Sequence, residues 1–198
     1  MFSLSPDPGR ATLVAKRFMG PKPTKTMATM IRRHLLTESS LIVHWCSDEF
    51  GIVKSVAKGA RRSKSPFSGK LDLFYRCEIE LVPARQGDLH ILKDVAVRDS
   101  RLGLRKTYRR TLAASYFIRL LETVAEIESP IADLADLLER GLNYLEQNEP
   151  DLRAVRHFEK QLATMLGIAE DGVEPIESVS DTFGQLPKQR DELLRMIE

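Results

Sequence analysis

Between residues 27 and 97 the apolar positions fall in short runs and two-residue alternations, and from about residue 104 they recur at three- and four-residue steps. The first pattern belongs to strands and the second to helices. Residues 27–35 (MATMIRRHL) alternate loosely and predict a strand, although Ala, Met and Leu would suit a helix as well. Residues 40–46 (SLIVHWC) form a β-branched and aromatic run of strand length. Asp48, Glu49 and Gly51 then turn the chain into a third strand at 51–57, so a hairpin is expected. Residues 76–82 alternate, with Cys77, Ile79 and Leu81 on one face and Arg76, Glu78 and Glu80 on the other. That is a half-buried antiparallel strand. A turn at Gln86, Gly87 and Asp88 leads to a fifth strand at 89–97. Five short strands with no helical period between most of them predict a small closed or nearly closed barrel of the oligonucleotide-binding (OB) kind.

The helical pattern follows. Leu112, Ala113, Tyr116, Phe117, Leu120, Leu121 and Val124 define a wide apolar face over 104–127, and Arg101, Arg105 and Arg109 fall four apart on one side. Ser129 with Pro130 reads as the start of a second helix carrying Ile131, Leu134, Leu138 and Leu145. Pro150 and Asp151 open a third, which Gly167 stops. The stripes need one another, so a bundle beside the barrel is expected. The fold class is therefore α+β, an OB barrel followed by an all-helical domain. The expected organisation is a flexible basic extension (1–24), an OB-fold domain (25–99), a helical domain (100–169) and an acidic tail (170–198) holding at most one short helix that does not dock.

Composition narrows the class. Of 198 residues, 42% are apolar and 29% charged, and no apolar run approaches the roughly 18 residues of a membrane span. A soluble, cytoplasmic protein is expected. The amino-terminal 26 residues are basic and rich in Pro and Gly but lack the apolar core of a secretory signal; an organellar transit peptide is the alternative, and translation from Met27 is as compatible as from Met1. The net charge is +2, unevenly spread: +4 over 1–26, +3 over 27–100, +3 over 101–128, −3 over 129–169 and −5 over 170–198. A basic front with an acidic back points to a polyanionic partner on one side. Cys46 and Cys77 lie in apolar stretches and read as buried free thiols.

Charge is most concentrated at residues 50–71 (FGIVKSVAKGARRSKSPFSGKL), which hold Lys54, Lys58, Arg61, Arg62, Lys64 and Lys70 and no acid. Solvated faces mix signs, so a cation-only strand and loop reads as phosphate-seeking. Arg32 and Arg33 on the first strand extend it. Aromatic residues add stacking potential: Trp45 and Phe50 suit the core better, whereas Phe67, inside the polar loop, is the candidate platform. Catalysis finds little support. The four histidines have no Cys, Asp or Glu at relay or ligand spacing, no CxxC pair exists, and no nucleophile elbow, P-loop or GxGxxG is found. No cofactor or metal is implied.

The run from residue 25 to 74, with ESSLIV (38–43), the acidic-Phe-Gly turn (49–51) and above all VAKGARRSKS (56–65), resembles the amino-terminal barrel of the RecO family of bacterial DNA repair and recombination mediators. Weaker likeness continues through LAASYFIRLLE (112–122) and FEKQLATMLGI (158–168). The resemblance implies an OB fold and a helical domain, binding of single- and double-stranded DNA, strand annealing, and cooperation with RecR and the single-strand-binding protein SSB. It assigns DNA contact to Lys58, Arg61, Arg62 and Lys64. Arg101, Arg105 and Arg109 are the expected receivers of an acidic SSB carboxy-terminal tail. Many members continue from the third helix into a four-cysteine zinc module, whereas no cysteine follows Cys77 here, so a carboxy-terminal part without that module is expected.

Overall fold

A computed structural model describes residues 22–197; the basic extension predicted for residues 1–24 lies almost wholly outside the described residues. Five strands form the barrel: β1 (Thr24–Leu35), β2 (Leu41–Ser47), β3 (Gly51–Ala57), β4 (Arg76–Val82) and β5 (Leu89–Asp99). It closes in the order β1-β2-β3-β5-β4, with β3 and β5 parallel and every other pair antiparallel. The predicted hairpin is present, Cys46 facing Ile52 across it and Gly51 taking φ +66 at its turn.

Alternation decides what fills the barrel. Ala28, Met30, Val43, Trp45, Val53, Cys77, Ile79 and Leu81 point inward and are fully buried. Inside, the Trp45 indole donates to Ser55 Oγ at 2.8 Å, which satisfies two polar groups that burial would otherwise strand. Residues of opposite parity on one side are apolar too: Ile31, Cys46 and Ile52 leave the barrel and join the helical core. Barrel and helices therefore share a packed boundary. Both cysteines are free and buried, and burial pushes each thiol up to about 12.

A 3-10 turn (Leu102–Arg105) precedes α1 (Tyr108–Val124), α2 (Leu134–Gln147), α3 (Leu152–Met165), α4 (Pro175–Phe183) and α5 (Gln189–Ile197). Asp151 caps α3 as expected, accepting from the Ala154 amide at 2.7 Å, and Gly167 ends the segment at φ +71.

Three expectations are corrected. The first helix does not run through from residue 104: Thr107 caps α1 by accepting from the Arg110 amide, so Arg101 and Arg105 precede it. Ser129 and Pro130 do not start α2. The Glu128 amide instead donates to the Ile52 carbonyl at 2.9 Å, and Pro130 packs on Gly51, where a Cβ would come within 3.0 Å of its Cα. The chain is held to the barrel there, and helix begins only at Leu134. The acidic tail, finally, holds two helices and docks. Leu193 of α5 is fully buried, and Arg190 reaches Glu159, itself fully buried, at 2.8 Å. Tyr116 donates to the same carboxylate at 2.5 Å, so a buried charge on α3 is compensated from α1 and α5.

Candidate nucleic-acid interface

The candidate interface is the loop joining β3 to β4. It is a succession of tight turns: the Ala60 amide donates to Ala57, Arg62 to Gly59, Ser65 to Arg62, Ser68 to Ser65 and Lys70 to Phe67. Gly59 and Gly69 supply the positive φ that two of these bends use. Phe67 and Leu71, each 6% exposed, drop into the barrel core and anchor the loop over its mouth. Phe67 is consequently no stacking platform: its ring fills the core, because a loop this polar has few other apolar side chains to hold it down.

A second anchor comes from the β1–β2 turn. The Arg61 amide donates to the Ser39 carbonyl at 3.0 Å, its guanidinium to the Glu38 carbonyl at 2.8 Å, and the Gly59 amide to Ser40 Oγ at 3.2 Å. These bonds orient the first half of the loop without neutralising it, since two of the acceptors are backbone oxygens and the third a hydroxyl. Lys58, Arg61, Arg62 and Lys64 are exposed, Lys70 is half-buried, and among the described residues none of the five pairs with a carboxylate.

The strand cations are placed otherwise. Arg32, His44 and Lys54 lie in register across β1, β2 and β3 on the outer face. Lys54 meets Asp88 at 2.7 Å, which holds that carboxyl below its usual range, and Arg32 meets Glu122 at 2.7 Å, whose carboxyl burial pushes upward. Arg33 donates to the Leu71 carbonyl at 2.5 Å and lies 3.5 Å from Asp72. Between the two cations His44 is driven down to about 4 by burial and by Arg32, and is neutral near pH 7.

The expected arginine face is not formed. Arg101 is 2% exposed and donates to Glu139, to the Phe74 carbonyl at 3.2 Å and to Thr29 Oγ1 at 3.3 Å. It cannot receive a partner, because it is the internal tie between the barrel and α2. Arg105 meets Asp72 at 2.9 Å and Arg109 meets Glu149 at 3.7 Å, on separate elements.

A groove between α2 and α3, of about 600 Å³, escaped sequence reasoning. Phe117 and Phe158 stack in its floor with ring centroids 3.8 Å apart, and Gly141 keeps it open, since a Cβ there would lie 3.0 Å from the Phe158 ring. Arg140, Arg153 and His157 line it as well. No run of residues announces this site, because its members come from three helices.

Among the described residues no helix is long and apolar enough to cross a membrane, and no cluster of His, Cys, Asp and Glu is suited to a metal ion. Residues 19–101 match the family described as Recombination protein O N terminal. The chain is 28% identical over 141 residues to DNA repair protein RecO of Rhodopirellula baltica, covering 71% of this chain and 52% of that one. To the proteins of the same name from Syntrophus aciditrophicus and Geobacter metallireducens it is 32% and 33% identical, covering 73% of this chain and 56% and 58% of theirs. The chain thus spans about half the length of the curated relatives it matches. Alongside the closed five-stranded barrel and the VAKGARRSKS loop, residues 19–101 match the Recombination protein O N terminal family, and the chain is similar to DNA repair protein RecO.

Proposed function

We propose that this chain is a non-catalytic DNA-binding mediator of repair and recombination. It holds single- and double-stranded DNA on the loop side of its barrel, promotes annealing of complementary strands, and assists recombinase loading with RecR and SSB. The supporting observation is the loop of residues 58–70, anchored at both ends, with Lys58, Arg61, Arg62 and Lys64 exposed and without a carboxylate partner among the described residues. Arg33, Arg32 and Lys54 extend the surface onto the strands, where DNA exchanges a phosphate for their present carboxylates. The mechanism is charge screening: two polyanions approach when protein cations replace their condensed counterions, and no bond is broken.

Four exposed cations that each neutralise one phosphate give a salt slope of about −3 on single-stranded DNA. A fluorescence titration of a labelled oligonucleotide over a range of salt measures it. Arg61→Ala with Arg62→Ala is expected to make the slope shallower by about 1.4. A strand-annealing assay without metal or nucleotide, positive for the wild type and weakened in that variant, tests the mediator role directly.

The α2–α3 groove favours a second reading, an adaptor for SSB and RecR with minor DNA contact. An aromatic floor suits a peptide with an apolar side chain, and acids on that peptide would replace Asp136 on Arg140 at 2.8 Å and Asp151 on Arg153 at 3.8 Å; the SSB tail is the proposed occupant. RecR is proposed from family membership alone. An unchanged salt slope in the Arg61 and Arg62 variant, together with tail-peptide binding that Gly141→Leu abolishes, would favour the adaptor.

A further inference from the structure

We infer that Leu35 and Leu36, at the tip of the β1–β2 hairpin, form an apolar wedge that contacts unstacked bases where single strand meets duplex. The inference rests on the DNA-binding reading of the neighbouring loop and adds what that loop recognises. Leu35 is 64% exposed and Leu36 45%, the two adjacent in sequence and at the end of a strand whose inward residues are otherwise covered. Single exposed leucines are ordinary; an adjacent pair on a fixed tip beside a cationic loop is not.

The tip is rigid. The Leu36 and Thr37 amides donate to the Ser40 carbonyl at 3.0 and 3.3 Å, and the Ser40 amide returns a bond to Thr37 Oγ1 at 3.1 Å. Through Glu38, Ser39 and Ser40 the same tip carries the three hydrogen bonds that orient Gly59 and Arg61. Apolar pair and loop cations are therefore tied together through these hydrogen bonds. Cations hold a backbone without regard to whether its bases are paired, whereas apolar side chains gain only from base faces that a neighbouring base does not already cover. Closed duplex offers none. A single strand offers them transiently, and a junction offers one held in place by the duplex beneath it, where the unstacking cost is least.

The test uses the full chain and a duplex with a single-stranded overhang, carrying 2-aminopurine as its junction base. Wild type is expected to raise the fluorescence of that base and to bind the junction DNA about tenfold more tightly than blunt duplex of equal phosphate count. Leu35→Ser with Leu36→Ser is expected to abolish both the rise and the preference, leaving salt slope and thermal midpoint unchanged because neither side chain is core. Two results overturn the inference while the DNA-binding reading stands: a variant with the wild-type junction preference, or a variant whose only change is a lost self-association in sedimentation. Absence of salt-dependent DNA binding by the wild type would overturn both together.

Discussion

Two arginine-rich stretches of this chain look alike in sequence and end up with opposite roles. Residues 58–64 hold Lys58, Arg61, Arg62 and Lys64, all exposed and none paired with a carboxylate among the described residues. Residues 101–110 hold Arg101, Arg105, Arg109 and Arg110, each of which meets an acid: Glu139, Asp72 and, for the last two, Glu149. The difference does not lie in the basic residues. It lies in what arrives opposite them: α2 brings Glu139 under the barrel, the residue after α2 and its cap brings Glu149 beside α1, and among the described residues no carboxylate pairs with the loop cations. A run of positive charge is thus a structural tie where the fold returns a carboxylate to it, and a candidate ligand surface where the fold returns none.

Replacing Arg101 tests the tie side of this contrast most severely. Arg101→Ala empties a buried site and leaves the half-buried Glu139 against Thr29 with only Arg76, at 3.3 Å, for compensation, and a loss of about 3 kcal/mol of stability or more is expected in urea unfolding. Phe67→Ala should follow at about 3 kcal/mol, because the ring fills the barrel mouth; near-zero destabilisation with lost DNA binding would restore it as a stacking platform. On the other side, Lys58→Ala with Lys64→Ala should shift stability by less than about 0.5 kcal/mol while weakening DNA binding, measured by the same unfolding curve and by anisotropy.

A separate, pH-dependent effect concerns His44. Its folded value near 4 lies below the ordinary 6.5, so between those values the unfolded chain takes up a proton that the folded chain refuses. Stability should therefore fall as pH drops from about 6.5 toward about 4. His44→Gln should flatten that part of the pH profile, and an unaltered profile would show that another group is responsible.

Much of the barrel was legible because its signals are local. Alternation at 76–82 and the β-branched run at 40–46 appear as strands β4 and β2, with Cys77, Ile79 and Leu81 inward. The loop cations were legible for the same reason, since charge density is a property of consecutive residues. Phe67 was misread because whether an aromatic side chain lies on a loop or beneath it depends on what space the strands leave open. The start of α2 was misplaced because Ser129 and Pro130 satisfy the local rule for a cap, while the Glu128 to Ile52 hydrogen bond that prevents helix there joins residues far apart in sequence.

The sequence by itself determined the order of strands and helices, the inward faces and the concentration of cations after β3, because each follows from periodicity or composition within a few neighbouring residues. Only the tertiary structure decided which cations keep their charge available, that α5 docks through Arg190 onto Glu159, and that the leucine tip and the cationic loop are joined by hydrogen bonds. Those outcomes depend on pairings 19 to 90 residues apart, and electrostatic and apolar contacts are fixed by distance in space, which separation along the chain does not record.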